Sequence, residues 1–475
     1  MIAIGGTIGT GLFLGTGRSL AQGGPASMLI CYGIVGAIVY VTLLLLGEMA
    51  TQYPVAGSFN AYATRFFSPA YGFALSWNYW FNDAVSVASD LTAAQLVLQF
   101  WTTWHPWVIS LVFWVFLVGV NATHVKAYGE LEYWLSSLKV ATVIIFIIVG
   151  ILVNVGVNRE HEYIGTRNWH IEGAPFVGGF GGFARVFVTA SFAYGGTESL
   201  GITAGETKNP SRNMPRVVKF VFWRILLFYV LSIVLIGLNG ALHSLTTTIT
   251  DAPLIFSKLT PGGVPLAALL ATSSVSVLCF GSSFIGSGTV WGWLQNIVGV
   301  SNQIAWLSIG LASWRFRRAW IKQGRPLEEM KFRAKWTWPW GPYFVVVSVV
   351  FLIIVQGWSS VIPSFSAVDF VSFYVEIPVM LVMFVGWMVV RRPVREQYDH
   401  EPETIGSPLT ATTPLLSQAR KEGRPRWHDI VDTTTVDLTR DEYEEDATDK
   451  ADDELRTERL KGQVGLLWRL YYWVI

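Results

Sequence analysis

The chain has 475 residues, of which 52% are hydrophobic and 14% are charged, and its formal net charge is +1 at pH 7. Soluble domains carry about 25% charged residues, so this composition excludes an ordinary soluble protein and predicts a membrane protein. The small net charge gives no reason to expect a nucleic-acid partner. With only two cysteines, Cys31 and Cys279, the chain has no disulfide framework.

Apolar segments recur along most of the chain. A helix needs about 20 mostly apolar residues to cross the hydrocarbon core of a bilayer. The segments that we predict to cross are 1–21, 25–48, 70–100, 106–125, 130–157, 179–204, 216–240, 264–284, 289–313, 342–361 and 370–390. Trp and Tyr cluster beside several of them, as is typical of the membrane–water interface. The pattern predicts an all-α, multi-spanning domain over 1–391, surrounded by a lipid bilayer.

The first predicted span is rich in glycine, and reads MIAIGGTIGTGLFLGTG. Glycine costs a helix interior roughly 1 kcal/mol relative to alanine. Some transporters interrupt a spanning helix in this way, so that backbone N–H and C=O groups become available to a substrate near the middle of the membrane. The alternative is that small residues only allow close packing of helices.

The sixth predicted span has a second interruption, SFAYGGTESLGITAGE, at 191–206. Two interrupted spans in corresponding positions indicate a binding site between two inverted repeats. The spacing of five spans therefore predicts a five-plus-five inverted repeat, with a site where the interruptions meet.

Several ionisable residues lie within predicted spans, where a charge costs about 2.5–3.5 kcal/mol and a functional role is the default expectation. Glu198 lies in the second interruption and Glu206 at its end. Asp83 and Asp90 share one face of the third span. Lys139, in the fifth span, is either a fixed counter-charge or a group that takes up and releases a proton. Glu48 closes the second span, and we expect it to be structural.

No spacing of histidines suits a metal, and no nucleophile–base pair or phosphate-binding loop is present. We therefore expect no enzyme activity, no cofactor and no metal.

The basic loops at 206–220 and 314–336 should both face the cytoplasm. An even number of crossings must then separate them, but three predicted spans lie between them. Either one segment does not cross the membrane or one crossing is missing.

The composition changes at the end of the last predicted span. Residues 392–475 are polar and contain the acidic run DEYEEDATDKADDE. This composition predicts a cytoplasmic, mostly disordered tail. The tail ends in a short aromatic segment, GLLWRLYYWVI, which is too short to span.

Several motifs, taken in order, resemble those of the fungal amino-acid permeases, a family of the amino acid–polyamine–organocation superfamily. The motifs are MIAIGGTIGTGLF, GEMATQYPVAGSFNAYATRF, GFALSWNYWFNDAVSVASDLTAAQLV, ELEYWLSSLKVATVIIFIIVGI and TESLGITAGETKNPSRNMPR. The resemblance covers nearly all of the chain outside about 392–465. It implies a LeuT-type fold, normally of twelve spans, and proton-coupled uptake of amino acids at the plasma membrane.

The resemblance also implies roles for individual residues. It places the substrate carboxylate at Thr7, Ile8, Gly9, Thr10 and Gly11. It places the α-amino group at Phe192, Ala193, Tyr194 and Gly195. It assigns proton coupling to Lys139, Glu198, Glu206 and Asp90. Lys139 resembles the fifth-span lysine that stands in place of a sodium ion in sodium-driven relatives.

Two features depart from the family pattern. The eighth span, expected between about 240 and 252, is absent, and the chain starts inside the first half-helix. About 11 spans therefore remain instead of 12. The sequence predicts secondary active transport of amino acids, most simply proton symport. Two alternatives remain open, which are an amino-acid receptor that signals through its tail and an inactive product that lacks one span.

Overall fold

The computed structural model describes residues 9–55, 57–102, 104–122, 125–157, 161–170, 173–206, 210, 212–215, 217–218, 225–239, 250–251, 274–276, 278–281, 287–362, 365–390, 430–439 and 441–443. Over these residues the predicted all-α class is confirmed except for one pair of short strands, the second of which, Leu278–Gly281, lies within the predicted span 264–284. The first helices are α1 (Thr10–Phe13), α2 (Gly15–Gln52), α3 (Ser58–Phe66), α4 (Pro69–Leu98), α5 (Pro106–Ala122), α6 (Val125–Asn154) and α7 (Gly179–Tyr194). The later helices are α8 (Ser199–Thr203), α9 (Leu231–Asn239), α10 (Ser287–Lys322), α11 (Trp340–Gln356), α12 (Trp358–Val361), α13 (Ala367–Tyr374) and α14 (Glu376–Val390).

Shorter elements complete the description. Single 3₁₀ turns lie at Arg167–Trp169, Ala204–Glu206 and Leu327–Glu329, and a π-helical turn at Ile225–Val230 precedes α9. Two short strands, β1 (Thr250–Asp251) and β2 (Leu278–Gly281), pair antiparallel.

Local sequence explains where two of the long helices begin or bend. The Ser68 hydroxyl accepts a hydrogen bond from the Tyr71 N–H, and Pro69 occupies the first position of α4, so this helix has a normal N-cap. Within α2, Gly24 has φ +80°, and the next residue is Pro25. A side chain at Gly24 would meet the backbone of Val177 at 3.0 Å. The first and second predicted spans are therefore joined in α2 across a kink that requires glycine.

Among the described residues, three helical segments are long and apolar enough to cross a membrane. They are Gly15–Gln52, which is α2, Trp134–Asn154 within α6, and Trp340–Val361, which comprises α11 and α12. The pair formed by α13 and α14, bent by 49°, is a fourth candidate. Most of the predicted span 264–284 and part of 216–240 lie outside the described residues. The number of crossings therefore stays a prediction.

The core is built around α2 and α10. Helix α2 packs against α7, α9, α10 and α11, while α10 also packs against α3, α4 and α13. At one end of this core, Glu48 of α2 and Arg317 of α10 form an ion pair in which each side chain is 1% exposed. The Ala334 N–H also donates to Glu48, at 2.7 Å. Glu48 thus holds the ends of α2 and α10 together, which is consistent with the structural role expected for it.

Part of the predicted tail packs onto the same end of the core. We call the described residues 430–439 and 441–443 the tail segment. The Tyr443 N–H donates to the Gln52 carbonyl at 3.0 Å, and the Tyr53 hydroxyl donates to the Leu438 carbonyl at 2.9 Å. Leu438 is only 3% exposed. The tail segment is therefore packed against the membrane domain, whereas the predicted disorder of the rest of 392–475 falls outside the described residues.

Candidate functional site

The first interruption is described from Gly9 onward, and the predicted site residues Thr7 and Ile8 lie outside the described residues. Gly9 precedes α1, and its carbonyl accepts from the Leu12 and Phe13 N–H groups at 3.0 and 3.2 Å. The N–H groups at the start of a helix have no acceptor within that helix. In α1 these groups belong to Thr10 and Gly11, as the prediction for the substrate carboxylate requires.

The second interruption lies where the sequence predicts it. Helix α7 ends at Tyr194, the chain leaves the helical path over Gly195–Glu198, and α8 begins at Ser199. Gly196 has φ +78°, a conformation that favours glycine. This backbone turn therefore depends on one of the glycines that marked the segment in the sequence.

The two interruptions touch each other. A methyl group added at Gly11 would lie 2.9 Å from the Ala193 Cβ and 3.0 Å from the Ala193 nitrogen. A methyl group added at Gly9 would meet no atom within 4 Å in the described structure. Gly11 is therefore a close-packing glycine, as the helix-packing alternative expects. At Gly9 no described atom is close enough to require a glycine, so the substrate-binding interpretation of this position stays a prediction.

Both carboxylate oxygens of Glu198 accept hydrogen bonds from neighbouring groups. Its carboxylate accepts hydrogen bonds from the Tyr79 hydroxyl at 3.1 Å, the Trp306 Nε1 at 3.0 Å, the Gly196 N–H at 3.1 Å and the Thr197 hydroxyl at 3.3 Å. Its exposed fraction is 0%. The side chain thus ties α4 and α10 to the second interruption and stabilises the turn.

The carbonyl groups predicted to hold the α-amino group already have donors. The Ala193 carbonyl accepts from the Tyr229 hydroxyl at 2.8 Å, and the Phe192 carbonyl accepts from the Gly195 N–H at 3.1 Å. A carbonyl oxygen has two lone pairs, so each can accept a second hydrogen bond. The rings of Tyr194 and Tyr229 stack with their centroids 4.4 Å apart, which holds the end of α7 in place.

Asp90 lies on α4 and Lys139 on α6, while Glu198 lies between α7 and α8. The Thr10 hydroxyl donates to Asp90 at 2.7 Å, which links α1 to α4. The charge of Lys139 attracts that of Asp90. The backbone of Glu206 lies in a 3₁₀ turn, but its side chain lies outside the described residues.

Sequence reasoning missed several residues that shape this site. Tyr79 and Trp306 hold Glu198, Tyr229 holds Ala193, and Asn302 lies against Gly195. The signal available for Asn302 was its polarity within an apolar span. Tyr79 lies four residues before Asp83, on the same helix face.

Among the described residues, no group of three or more His, Cys, Asp or Glu side chains is placed to hold a metal ion.

A membrane-embedded helical fold with two interrupted helices in contact defines a transporter-like protein, and comparison with known proteins identifies its family. The family model described as "Amino acid permease" matches residues 1–249 and 241–400. Among similar proteins are a probable amino-acid permease of Schizosaccharomyces pombe and the lysine-specific permease LysP of Escherichia coli. The first is 38% identical, over 82% of this chain and 90% of the relative, and the second 37% identical, over 82% and 92%.

The general amino-acid permease of Saccharomyces cerevisiae is 34% identical to the chain, with 82% of this chain and 76% of the relative covered. Among solved structures, the Eremococcus coleocola manganese transporter aligns at 13% identity with a TM-score of 0.42, covering 81% of this chain and 92% of that chain.

The chain belongs to the amino acid permease family. It is an integral membrane permease for amino acids and not an enzyme, and its membership confirms the predicted LeuT-type fold class. The two family matches overlap at 241–249, within the region where the sequence predicts that the eighth span is missing.

Proposed function

We propose that the chain is a proton-coupled importer of amino acids at the plasma membrane, which binds its substrate between the two interruptions. The observation that carries the proposal is the contact of Gly11 with Ala193, beside Gly9, where no described atom lies within 4 Å of an added methyl group. This arrangement supports a site in which the N–H groups of Thr10 and Gly11 hold the substrate carboxylate. The partial positive charge at a helix N-terminus favours an anionic group there by about 0.3–1 kcal/mol.

The α-amino group of the substrate binds to the opposite interruption. The carbonyls of Phe192 and Ala193 each have a second lone pair for an ammonium N–H, and Tyr194 and Gly195 shape the same surface. A zwitterion therefore finds donors on one side and acceptors on the other. Among the relatives, two are named for lysine and one for histidine, which supports an amino acid as the transported substrate.

Proton coupling is supported by the hydrogen bond from Thr10 to Asp90 and by the attraction between the charges of Asp90 and Lys139. The Thr10 hydroxyl ties Asp90 to the first interruption, so a change of charge at Asp90 alters the electrostatics of the substrate site. Glu198 is the second candidate, a buried carboxylate that accepts hydrogen bonds from Tyr79, Trp306 and Gly196 beside the second interruption. Moving one proton through 100 mV yields about 2.3 kcal/mol, which supports roughly a fifty-fold gradient.

The test is uptake of labelled amino acids at pH 5 and pH 7 by permease-deficient cells that express the chain. We expect faster uptake at pH 5. The Asp90→Asn and Lys139→Gln variants should lose this pH dependence while they still exchange labelled for unlabelled substrate. Glu328→Gln, at a side chain that is 82% exposed, is the matched control. Equal wild-type rates at both pH values would remove the coupling, and the absence of any uptake or exchange would remove transport.

A sensing role is the second candidate, because the tail segment contacts the ends of both α2 and α10. A receptor should lose its signal when 392–475 is deleted, whereas a transporter keeps uptake. An accessibility tag within 314–336 tests the remaining alternative, an inactive product. Labelling of the tag from outside the cell would show that the missing crossing has inverted this loop.

A further inference from the structure

One face of α4 runs between the two interruptions. Tyr79 on this face donates to Glu198 beside the second interruption, and Asp90 accepts from Thr10 in the first. Asp83 lies between them, one turn after Tyr79 and two turns before Asp90, on the same face. Its side chain is exposed, although both of its neighbours in the chain are buried. Asp83 therefore lies on the part of α4 between the residues that contact the two interruptions.

The carboxylate of Asp83 has acceptor capacity that its surroundings do not use. Within the described residues, its one hydrogen bond comes from the Asn82 amide at 3.4 Å. A carboxylate accepts about four hydrogen bonds, and an unsatisfied one is costly away from bulk water. Glu198 differs sharply, because its oxygens are supplied by four donors.

Two buried amide oxygens add to this excess of acceptors. The Oδ1 atoms of Asn82 and Asn302 have no hydrogen-bond partner in the described structure. These side chains are 3% and 1% exposed. Asn302 lies directly against the second interruption, because its Cγ is 2.9 Å from the position that a methyl group at Gly195 would occupy. A ligand that enters beside this turn therefore meets acceptors that need N–H donors.

The charges around the site also call for a cation. Asp83, Glu198 and Asp90 are acidic, and the charges of Asp83 and Glu198 repel each other. The described basic group that acts on this set is Lys139, whose charge attracts Asp90. A zwitterionic amino acid adds no net charge to this set of acidic groups. A basic amino acid adds one positive charge.

We propose that Asp83, with the amide oxygens of Asn82 and Asn302, forms the side-chain subsite, and that the preferred substrates are amino acids with a cationic side chain, such as lysine or arginine. This inference rests on the proposed function, because it assumes that the α-carboxylate binds at the first interruption. Seven residues of helix separate Asp83 from Asp90, which corresponds to about 10 Å along the axis. An extended lysine or arginine bridges most of that distance, whereas a short apolar side chain does not.

The experiment compares lysine with norleucine, which has a similar length but lacks the ammonium group. Inhibition of labelled lysine uptake or exchange is measured for each compound in cells that express the full chain. We expect lysine to compete at least tenfold better than norleucine. Asp83→Asn should bring this ratio close to one and keep norleucine binding, which shows that the variant is folded, while Asp83→Glu should retain the preference. Glu328→Gln should behave as wild type.

Two results overturn the subsite, namely a wild-type protein that takes norleucine as well as lysine, or an Asp83→Asn variant that keeps the preference for lysine. In both cases amino-acid transport is still observed, so the proposed function stands. If no amino acid competes or exchanges in the wild type, the proposed function itself is wrong and the subsite falls with it.

Discussion

The contact between the two interruptions predicts that Gly11→Ala damages the substrate site. The new methyl group would lie 2.9 Å from the Ala193 Cβ and 3.0 Å from the Ala193 nitrogen. Carbon atoms attract each other best at about 3.5–4.0 Å, so the two segments must move apart by roughly 1 Å. The obstacle is the backbone of α7, which cannot rotate away as a side chain can. Overpacking of this kind typically costs about 1–3 kcal/mol.

This cost appears either in binding or in folding. If the two segments move apart in the free protein, substrate binding must bring them together again against this cost. The substrate concentration for half-maximal uptake should then rise about 5- to 150-fold. If the strain is borne by the whole fold, the melting temperature of the purified protein should fall instead. Concentration-dependent uptake and thermal unfolding in detergent distinguish the two cases.

Gly33→Ala is the matched control. Gly33 lies on α2, and an added methyl group there meets no atom within 4 Å in the described structure. Alanine is favoured over glycine in a helix by roughly 1 kcal/mol, so this variant should be neutral or slightly more stable. A Gly11→Ala protein with wild-type uptake and wild-type melting would refute the close contact from which the site is built.

Two further predictions concern the end of the core where the tail segment packs. Arg317→Met leaves Glu48 buried without its cation and should cost about 3–5 kcal/mol of stability in thermal unfolding, whereas the double variant with Glu48→Leu should recover most of it. A single variant as stable as the wild type would contradict the buried pair. Arg325→Ala removes the ion pair to Glu442 in the tail segment, at 3.0 Å, and should speed proteolytic cleavage there. The control Glu328→Gln should leave the rate of cleavage unchanged. An unchanged rate in Arg325→Ala would show that other contacts alone hold the tail segment.

The membrane class, the helical fold and the place of the second interruption could be predicted from the sequence. Each depends on local chemistry. A long run of apolar residues crosses a bilayer as a helix, because a helix satisfies its own backbone hydrogen-bonding groups where no water is present. The turn at Gly195–Glu198 follows from glycine, because Gly196 adopts a conformation that other residues resist. The order of the motifs was enough to predict the family.

The roles of individual site residues depend on tertiary structure. Gly9 and Gly11 are equivalent in the sequence pattern, yet only Gly11 has a close neighbour among the described residues, which is Ala193. Glu198 is predicted to take part in proton coupling, and the groups that donate to it include Tyr79, 119 residues away, and Trp306, 108 residues away. No local pattern shows such partners.

By itself, then, the sequence of this permease determined where helices form and where they break, because hydrophobicity and backbone freedom are properties of neighbouring residues. Only the tertiary structure decided which acidic groups are satisfied and which still need a donor. Hydrogen bonds and charges act over a few ångströms in space, and the fold alone determines which distant residues come within that range.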